Sequence, residues 1–166
     1  MILIALGSNL PSAAGTPAET LRAALAALGA KGIEPVKVSQ FYESEAWPVP
    51  DDPRFVNAVA QMGTHLSPGA LLERLHAVER SFGRVRTARN APRTLDLDIL
   101  DYHGRIEAGP PELPHPRMQS RGFVLVPLAD IAPEWRHPTS GLSVAELIAK
   151  LPDRGREVIP LQSKPR

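Results

Sequence analysis

The residue types best suited to chemistry in this sequence are concentrated in one stretch, residues 83–100. Its first half contains four arginines and no acidic residue: Arg84, Arg86, Arg89 and Arg93. Its second half alternates apolar residues with two aspartates, Asp96 and Asp98. Strict alternation predicts a half-buried strand, and residues two apart in a strand share a face at a spacing of roughly 7 Å. The two carboxylates are therefore expected to lie side by side on the wetter face.

Two adjacent carboxylates repel each other unless a proton, an arginine or a metal ion lies between them. Magnesium is held by one or two protein carboxylates and completes its shell with water and phosphate oxygens. Guanidinium groups match phosphate oxygens bidentately. The stretch therefore suggests a magnesium–nucleotide site. These residues alone leave open a surface strand whose aspartates pair with neighbouring arginines, an arrangement that often contributes little to stability.

The whole chain narrows the class of protein. Its 166 residues fit a single domain, 1–166, with room for a real core. The net charge of +1 argues against a general polyanion binder. The chain has no cysteine, which excludes disulfides, zinc thiolates and cysteine nucleophiles. The first ten residues lack a basic leader and no apolar run reaches roughly 18 residues, so we expect a cytoplasmic protein.

The elements that must position the acidic pair follow from capping and periodicity. Helices are expected to begin at three Ser/Thr caps: Thr16, Ser67 and Ser143. Strands are expected at 2–6, 36–42, 55–62 and 94–102. The order of the first six elements, β-α-β-β-α-β, predicts an α+β ferredoxin-like core with two helices on one face of an antiparallel sheet. The other face is then open to carry the site.

Two further segments stand outside this pattern. Residues 43–54 contain three prolines, which predicts a loop of functional length before the third strand. The C-terminal part, 136–166, is expected to add helical and strand elements to a core of about 1–135, at a place the pattern does not reveal. The motifs of P-loop, dinucleotide, zinc-protease and serine-hydrolase sites are all missing. A nucleotide site must therefore be built from side chains and metal.

Several short segments of this sequence recur in the same order in one family. They are 6–10 (LGSNL), 41–42 (FY), 55–57 (FVN), 83–86 (GRVR), 92–99 (PRTLDLDI), 114–115 (PH) and 121–123 (RGF). Together they resemble hydroxymethyl-dihydropterin pyrophosphokinase of folate biosynthesis over about residues 1–135. The resemblance implies transfer of pyrophosphate from ATP to the hydroxymethyl group of 6-hydroxymethyl-7,8-dihydropterin, with release of AMP.

The resemblance also implies a site. Two Mg²⁺ ions would be bound by Asp96 and Asp98. The catalytic residues would be Arg84, Arg93, Asp96 and Asp98. ATP would be bound by Glu79, Arg84, Arg86, Arg93, Ile99, His115 and Arg121, with Arg86 and Arg89 entering on a mobile loop. The pterin would be bound by Ser44, Trp47, Phe55, Asn57, Asp96 and Phe123. The expected partners are ATP and the reduced pterin, without nucleic acid or membrane, and the expected state is a monomer.

The sequence departs from the family pattern in two loops. Asn90 stands where many members have an aromatic residue, and Glu45-Ala46-Trp47 replaces a commoner proline-rich segment. We expect Trp47 to take over the missing stacking contact. The alternative function is a non-catalytic ferredoxin-like module that binds RNA or senses a ligand, with Phe55 stacking on bases and the arginines on phosphates.

Overall fold

A computed structural model describes residues 1–46, 51–85 and 92–161 as an α+β fold. The strands are β1 (Ile2–Ser8), β2 (Glu34–Val38), β3 (Tyr42–Ser44), β4 (Phe55–Gly63), β5 (Asp96–Tyr102) and β6 (Ile159–Pro160). The helices are α1 (Pro17–Ala30), α2 (Pro68–Ser81), α3 (Gly122–Ile131) and α4 (Val144–Ala149), with a single 3-10 turn at Met118–Ser120. No helix in these described ranges is long and apolar enough to span a membrane.

The sheet is antiparallel, and its order confirms the predicted class. The path runs β5-β1-β4-β3-β6, and β2 also pairs with β4. β1 lies between β4 and β5, so Gly7 is opposite both Asn57 and Asp96. β1 thus places β4 and β5, the strands that carry Asn57 and the acidic pair, on either side of Gly7.

The predicted strand at 36–42 is in fact two strands, β2 and β3. Ser39 separates the two strands, because its hydroxyl replaces a backbone group in the hydrogen bonding with β4. The Ser39 hydroxyl accepts from Val59 N at 3.0 Å and donates to Gln40 O at 2.7 Å, while its own N–H donates to Val59 O at 2.9 Å. A side chain that hydrogen-bonds backbone groups offers an alternative to the ladder, so the chain kinks at Ser39 and β3 continues along β4.

One face of the sheet forms the main core, as predicted. Apolar residues of α1 and α2 pack there on one parity of β1, β4 and β5, including Leu21, Leu75 and Leu97. The helix starts are also those expected: Thr16 and Ser143 make complete capping boxes, and Ser67 accepts from Ala70 N. Caps of this kind satisfy backbone N–H groups that the helix leaves unpaired.

The second face is not open along its whole length, contrary to the expectation. α3, α4 and Trp135 cover its middle, where Leu3, Val59 and Leu100 form a second buried cluster. The C-terminal part of the chain thus belongs to the packing of the sheet. What stays uncovered is the end of this face near Gly7, and the cleft lies there.

A β-bulge in the pairing of β1 with β5 changes the facing of side chains along β5. The register shifts between Leu3 and Ile4. Beyond the bulge, Tyr102 packs in the main core, and Asp101 lies on the second face, where it accepts from Trp135 Nε1 at 2.9 Å. Before the bulge, Asp96 and Asp98 keep the parity that faces the cleft.

Candidate active site

A cleft of about 750 Å³ opens at the uncovered end of the second face. This volume lies in the range of small-molecule sites. The structure brings together there most of the charged residues expected from the sequence: Arg93, Asp96, Asp98, His115 and Arg121. It also brings the expected pterin residues to the same cleft: Ser44, Phe55, Asn57 and Phe123.

Arg84 is held beside the acidic strand by two carboxylates. Its Nη1 donates to Glu79 Oε2 at 2.7 Å, to Asp96 Oδ1 at 2.6 Å and to Leu95 O at 3.3 Å. Burial alone would lower the pKa of the Arg84 guanidinium, but the Asp96 and Glu79 charges raise it above the ordinary value. The guanidinium is therefore permanently charged and fixed in direction.

Glu79 supports this arrangement from below the cleft. Its side chain is only 2% exposed, and its Oε2 also accepts from Leu97 N at 2.9 Å. The expected contact between Glu79 and a nucleotide is therefore not supported by the structure, since the carboxylate is turned to Arg84 and β5. Ile99 is likewise buried in the helix-covered core, on the opposite side of β5 from the cleft. Its side chain has no access to a nucleotide there.

Asn9 is a site residue that the sequence reasoning missed. It is 2% exposed and binds the Arg93 segment twice: Arg93 N donates to Asn9 Oδ1 at 2.8 Å, and Asn9 N donates to Arg93 O at 3.1 Å. Asn9 Nδ2 also donates to Pro53 O at 3.0 Å. The available signal was an asparagine close to the end of the predicted strand 2–6, because a buried amide needs several partners. Asn9 thereby fixes the backbone of Arg93, whose Nη1 lies 3.3 Å from Asp96 Oδ2.

Asp98 is the most perturbed acid of the cleft. Burial and the neighbouring Asp96 charge raise the pKa of the Asp98 carboxyl to about 7, while Arg121 and Arg84 oppose the shift. Arg84 and Arg93 pair with the two carboxylate oxygens of Asp96. The alternative left open by the sequence, aspartates paired with arginines, thus describes Asp96 in part but not the pair.

His115 and Arg121, on the segment that precedes α3, line the cleft. Burial and the Arg121 charge lower the pKa of His115 to about 4, so the imidazole is neutral near pH 7. Its Nδ1 accepts from Arg117 N at 3.1 Å, which leaves Nε2 as the protonated donor. Burial lowers the pKa of Arg121, and the Asp98 charge works against that change. The pair presents a neutral donor and a cation to the cleft.

The other half of the cleft, referred to as the apolar half, combines two aromatic rings with an amide and a hydroxyl. Asn57 is 5% exposed, and its Nδ2 donates to Ser44 Oγ at 2.8 Å. Phe55 and Phe123 line the same part of the cleft, and the Arg121 guanidinium lies 5.4 Å from the centre of the Phe123 ring. A β-carbon at Gly7 would lie 3.1 Å from Asn57 Oδ1, so glycine keeps the space beside that acceptor free.

Three expected site residues, Trp47, Arg86 and Arg89, lie outside the described residues, as does Asn90. The expectation that Trp47 replaces the missing loop aromatic therefore stays a prediction. Among the residues that are described, His115 would not stand out without the family motifs, because a histidine between prolines is commonly a turn residue.

The acidic pair suits a magnesium ion. No group of three or more His, Cys, Asp or Glu in the described ranges could hold a metal, which argues against a site made wholly of protein ligands. Two carboxylates beside guanidinium groups match a cation that keeps several positions for water and phosphate oxygens. Burial and the neighbouring Asp96 charge, the causes of the raised pKa of Asp98, both make a cation favourable beside the two carboxylates.

Fold and cleft together define a class: α+β proteins that handle phosphate-bearing ligands with side chains rather than with a glycine-rich loop. The comparison with known families is more specific. The sequence pattern of 7,8-dihydro-6-hydroxymethylpterin-pyrophosphokinase (HPPK) matches residues 3–133. The chain belongs to this family.

Individual relatives agree with this assignment. The chain is 45% identical to the 2-amino-4-hydroxy-6-hydroxymethyldihydropteridine pyrophosphokinase of Pseudomonas aeruginosa, over 96% of both chains. It is 41% identical to the protein of the same name from Synechocystis, over 90% of this chain and 75% of the relative. It is also 39% identical to the folic acid synthesis protein fol1 of Pneumocystis carinii, where the match spans 98% of this chain but 22% of the relative. These matches do not favour an RNA-binding or ligand-sensing module.

Proposed function

We propose that this protein transfers pyrophosphate from ATP to the hydroxymethyl group of 6-hydroxymethyl-7,8-dihydropterin in folate biosynthesis. The pterin hydroxyl oxygen forms a bond to the β-phosphorus of ATP. The bond from that phosphorus to the oxygen bridging it to the α-phosphorus breaks. The products are the pterin diphosphate, AMP and one proton. Membership of the HPPK family and the charge arrangement of the cleft support the proposal.

The charged half of the cleft would bind the triphosphate. Arg84 and Arg93 both pair with Asp96, which holds two guanidinium groups beside the acidic strand, and a guanidinium group has five N–H donors. Arg121 adds a positive charge, and His115 adds a neutral Nε2–H donor. Phosphoryl transfer of this kind depends on alignment and charge stabilisation rather than on covalent chemistry by the protein. Donors already fixed by buried partners cost little reorganisation during the reaction.

The apolar half would bind the pterin. A flat heterocycle is held well between aromatic rings, and Phe55 and Phe123 are on the two elements, β4 and α3, that border this part of the cleft. Asn57 has its Nδ2 committed to Ser44, so its Oδ1 is fixed as an acceptor for N–H groups at the edge of the ring. This division of the cleft would bring the hydroxymethyl group close to the acidic pair.

Asp96 and Asp98 would hold magnesium. We propose two ions, as the family resemblance implies. When bound, magnesium would neutralise charge on the phosphates and help to place them for in-line transfer. The chain's own contribution is the orientation of the carboxylates by Arg84, Arg93 and the β5 backbone.

The test is a coupled measurement of AMP release. Purified protein with ATP, Mg²⁺ and the reduced pterin should produce AMP and pterin diphosphate in equal amounts. Omitting the pterin or chelating the metal should stop AMP release. Production of ADP, or release of AMP without the pterin, would contradict the proposed reaction. The strongest support for the proposal is that one cleft contains both an acidic pair and a pocket formed by an amide and aromatic rings.

We also propose that the active form is a monomer, because one chain supplies both the acidic pair and the amide-and-aromatic pocket. Light scattering coupled to gel filtration should give the mass of one chain, and specific activity should not change on dilution. A dimer whose activity falls on dissociation would contradict this.

A further inference from the structure

One wall of the cleft is made by a segment to which neither the motifs nor the family match assigns a role. The match ends at residue 133, yet Asp153, Glu157 and Val158 line the cleft. We refer to residues 151–160 as the C-terminal strap. It runs from the end of α4 to β6 and lies across the apolar half of the site.

The strap contacts the start of α3 at glycine positions. A β-carbon at Gly122 would lie 3.4 Å from Val158 Cγ2 and 3.5 Å from Gly155 Cα. A β-carbon at Gly155 would lie only 2.7 Å from Val126 Cγ2, a distance that real β-carbons do not show. The close approach therefore depends on glycine at position 155, whereas a β-carbon at Gly122 would make ordinary van der Waals contact with the strap. Phe123 directly follows Gly122, so the strap fixes the start of the helix turn that carries this ring.

The other end of the strap is paired with β3. Ile159 and Pro160 are opposite Glu43 and Tyr42, and Leu161 N donates to Phe41 O at 2.8 Å. The last residue of β3 is Ser44, whose hydroxyl accepts from Asn57. The strap thus joins the two elements that carry Phe123 and Ser44.

We propose that the C-terminal strap is a positioning element for the pterin half of the cleft and affects the affinity for the pterin more than the affinity for ATP. The inference rests on the proposed function, since it assigns the apolar half to the pterin. Val158 is the strap residue nearest to the turn of Phe123, and Gly155 is the residue that lets the strap approach α3. Both residues would affect pterin binding by setting the width of the gap between α3 and the sheet.

The experiment compares two glycines with the same backbone conformation. Gly155 (φ +74°) and Gly141 (φ +73°) both lie in the left-handed region, but a β-carbon at Gly141 meets nothing within 4 Å. Gly155→Ala and Gly141→Ala therefore share the backbone strain, and only Gly155→Ala displaces the strap from α3. Val158→Ala is the second probe, which removes side-chain volume without backbone strain.

Gly155→Ala and Val158→Ala should each raise the KM for the pterin by about fivefold or more, because a small misplacement of binding groups is costly. The Kd for a non-hydrolysable ATP analogue should stay within about twofold, and Gly141→Ala should change neither constant. Equal changes in both substrates, or an unchanged pterin KM in Val158→Ala, would overturn the proposal. If Gly155→Ala does not fold, Val158→Ala decides.

A pterin-binding titration separates this proposal from the proposed function. If the natural protein binds the reduced pterin but shows no AMP release, the proposed reaction fails, and the strap is still judged by the pterin Kd of the two variants. If AMP release is normal and the pterin Kd is the same in all variants, the strap proposal fails alone.

Discussion

The two halves of the cleft are positioned in different ways. In the charged half, Arg84 is fixed by direct ion pairs to Glu79 and Asp96, at 2.7 and 2.6 Å. In the apolar half, one described side-chain hydrogen bond joins Asn57 to Ser44, and the aromatic rings depend on how α3 packs against the sheet. Arg84 is therefore fixed by contacts within residues 79–96, although Asn9 holds Arg93 from a distant part of the chain, whereas the apolar half depends throughout on segments far apart in the chain.

This difference predicts how each half responds to mutation. Changes in the charged half should lower the rate of transfer, because the lost interactions act on charge in the transition state. Changes in the apolar half should raise the KM for the pterin and leave the nucleotide unaffected. The following variants test this contrast, from the largest expected effect to the smallest.

Asp98→Ala should have the largest effect. Removing this carboxylate should lower kcat by about a thousandfold or more, since it removes a magnesium ligand at the reacting phosphates. The melting temperature should change little, because the side chain faces the cleft rather than the core. AMP release and a thermal melt measure both effects. A variant that does not fold would show that the Asp98 side chain supports the core rather than facing the cleft.

Arg84→Ala should affect both rate and stability. The rate should fall by about a hundredfold, as expected for a fixed charge contact, and unfolding should become easier by about 1–3 kcal/mol because the buried Glu79 carboxylate loses a partner. Arg93→Ala is the matched variant, since its partner Asp96 is partly exposed. Arg93→Ala should lower the rate without the loss of stability. Equal stability of the two variants in urea unfolding would contradict the supporting role of Glu79.

Gly7→Ala should affect only the apolar half. A β-carbon there would lie 3.1 Å from Asn57 Oδ1 and 3.7 Å from Phe55 Cδ1, so the amide must shift. We expect the KM for the pterin to rise by about tenfold, with the affinity for an ATP analogue unchanged. Gly69→Ala is the control, because a β-carbon at Gly69 meets nothing within 4 Å. A fall in kcat at unchanged KM would argue against the division of the cleft.

Tyr42→Phe should have the smallest effect, on stability. The Tyr42 hydroxyl donates to Asp130 Oδ2 at 2.8 Å, which joins β3 to α3, and its loss should cost about 1–2 kcal/mol. Burial and the bond to Asp130 raise the pKa of Tyr42 to about 12. The folded state therefore holds the Tyr42 proton more tightly than the unfolded state, so this stabilisation is complete below pH 10 and is lost as the pH rises towards 12.

Urea unfolding at pH 8 and pH 11 measures this effect. The natural protein should be more stable than Tyr42→Phe at pH 8, and the difference should shrink at pH 11. A constant difference at both values would show that the bond to Asp130 does not carry the stabilisation.

The parts of the fold that follow from the sequence are those with local causes. The caps at Thr16 and Ser143 and the alternation around Asp96 each depend on residues within a few positions, and all three agree with the structure. The break at Ser39 was not foreseen, because it depends on a hydrogen bond to Val59 across the sheet. The contacts of the strap with α3 and β3 were also not foreseen, since they join residues that no periodic pattern relates.

The same rule applies to the candidate site. The acidic pair and Arg84 could be placed from spacing, and family motifs extended this to His115, Arg121 and the pterin residues. The supporting roles of Glu79 and Asn9 required coordinates. A buried carboxylate beneath an arginine, or an amide that joins two loops, is visible only when the partners are known.

The β-bulge in β5 has a consequence for changes in chain length. Because of the bulge, side chains that would otherwise share one face of β5 lie on opposite faces: Asp98 faces the cleft and Tyr102 faces the helices. The end of β5 is anchored separately, through Trp135 on Asp101 and through the Tyr102 hydroxyl on Leu66 O. Insertions in the exposed turn at His103 and Gly104 should therefore not rotate the aspartates, and this turn is the natural place to attach a label or a second protein without disturbing catalysis.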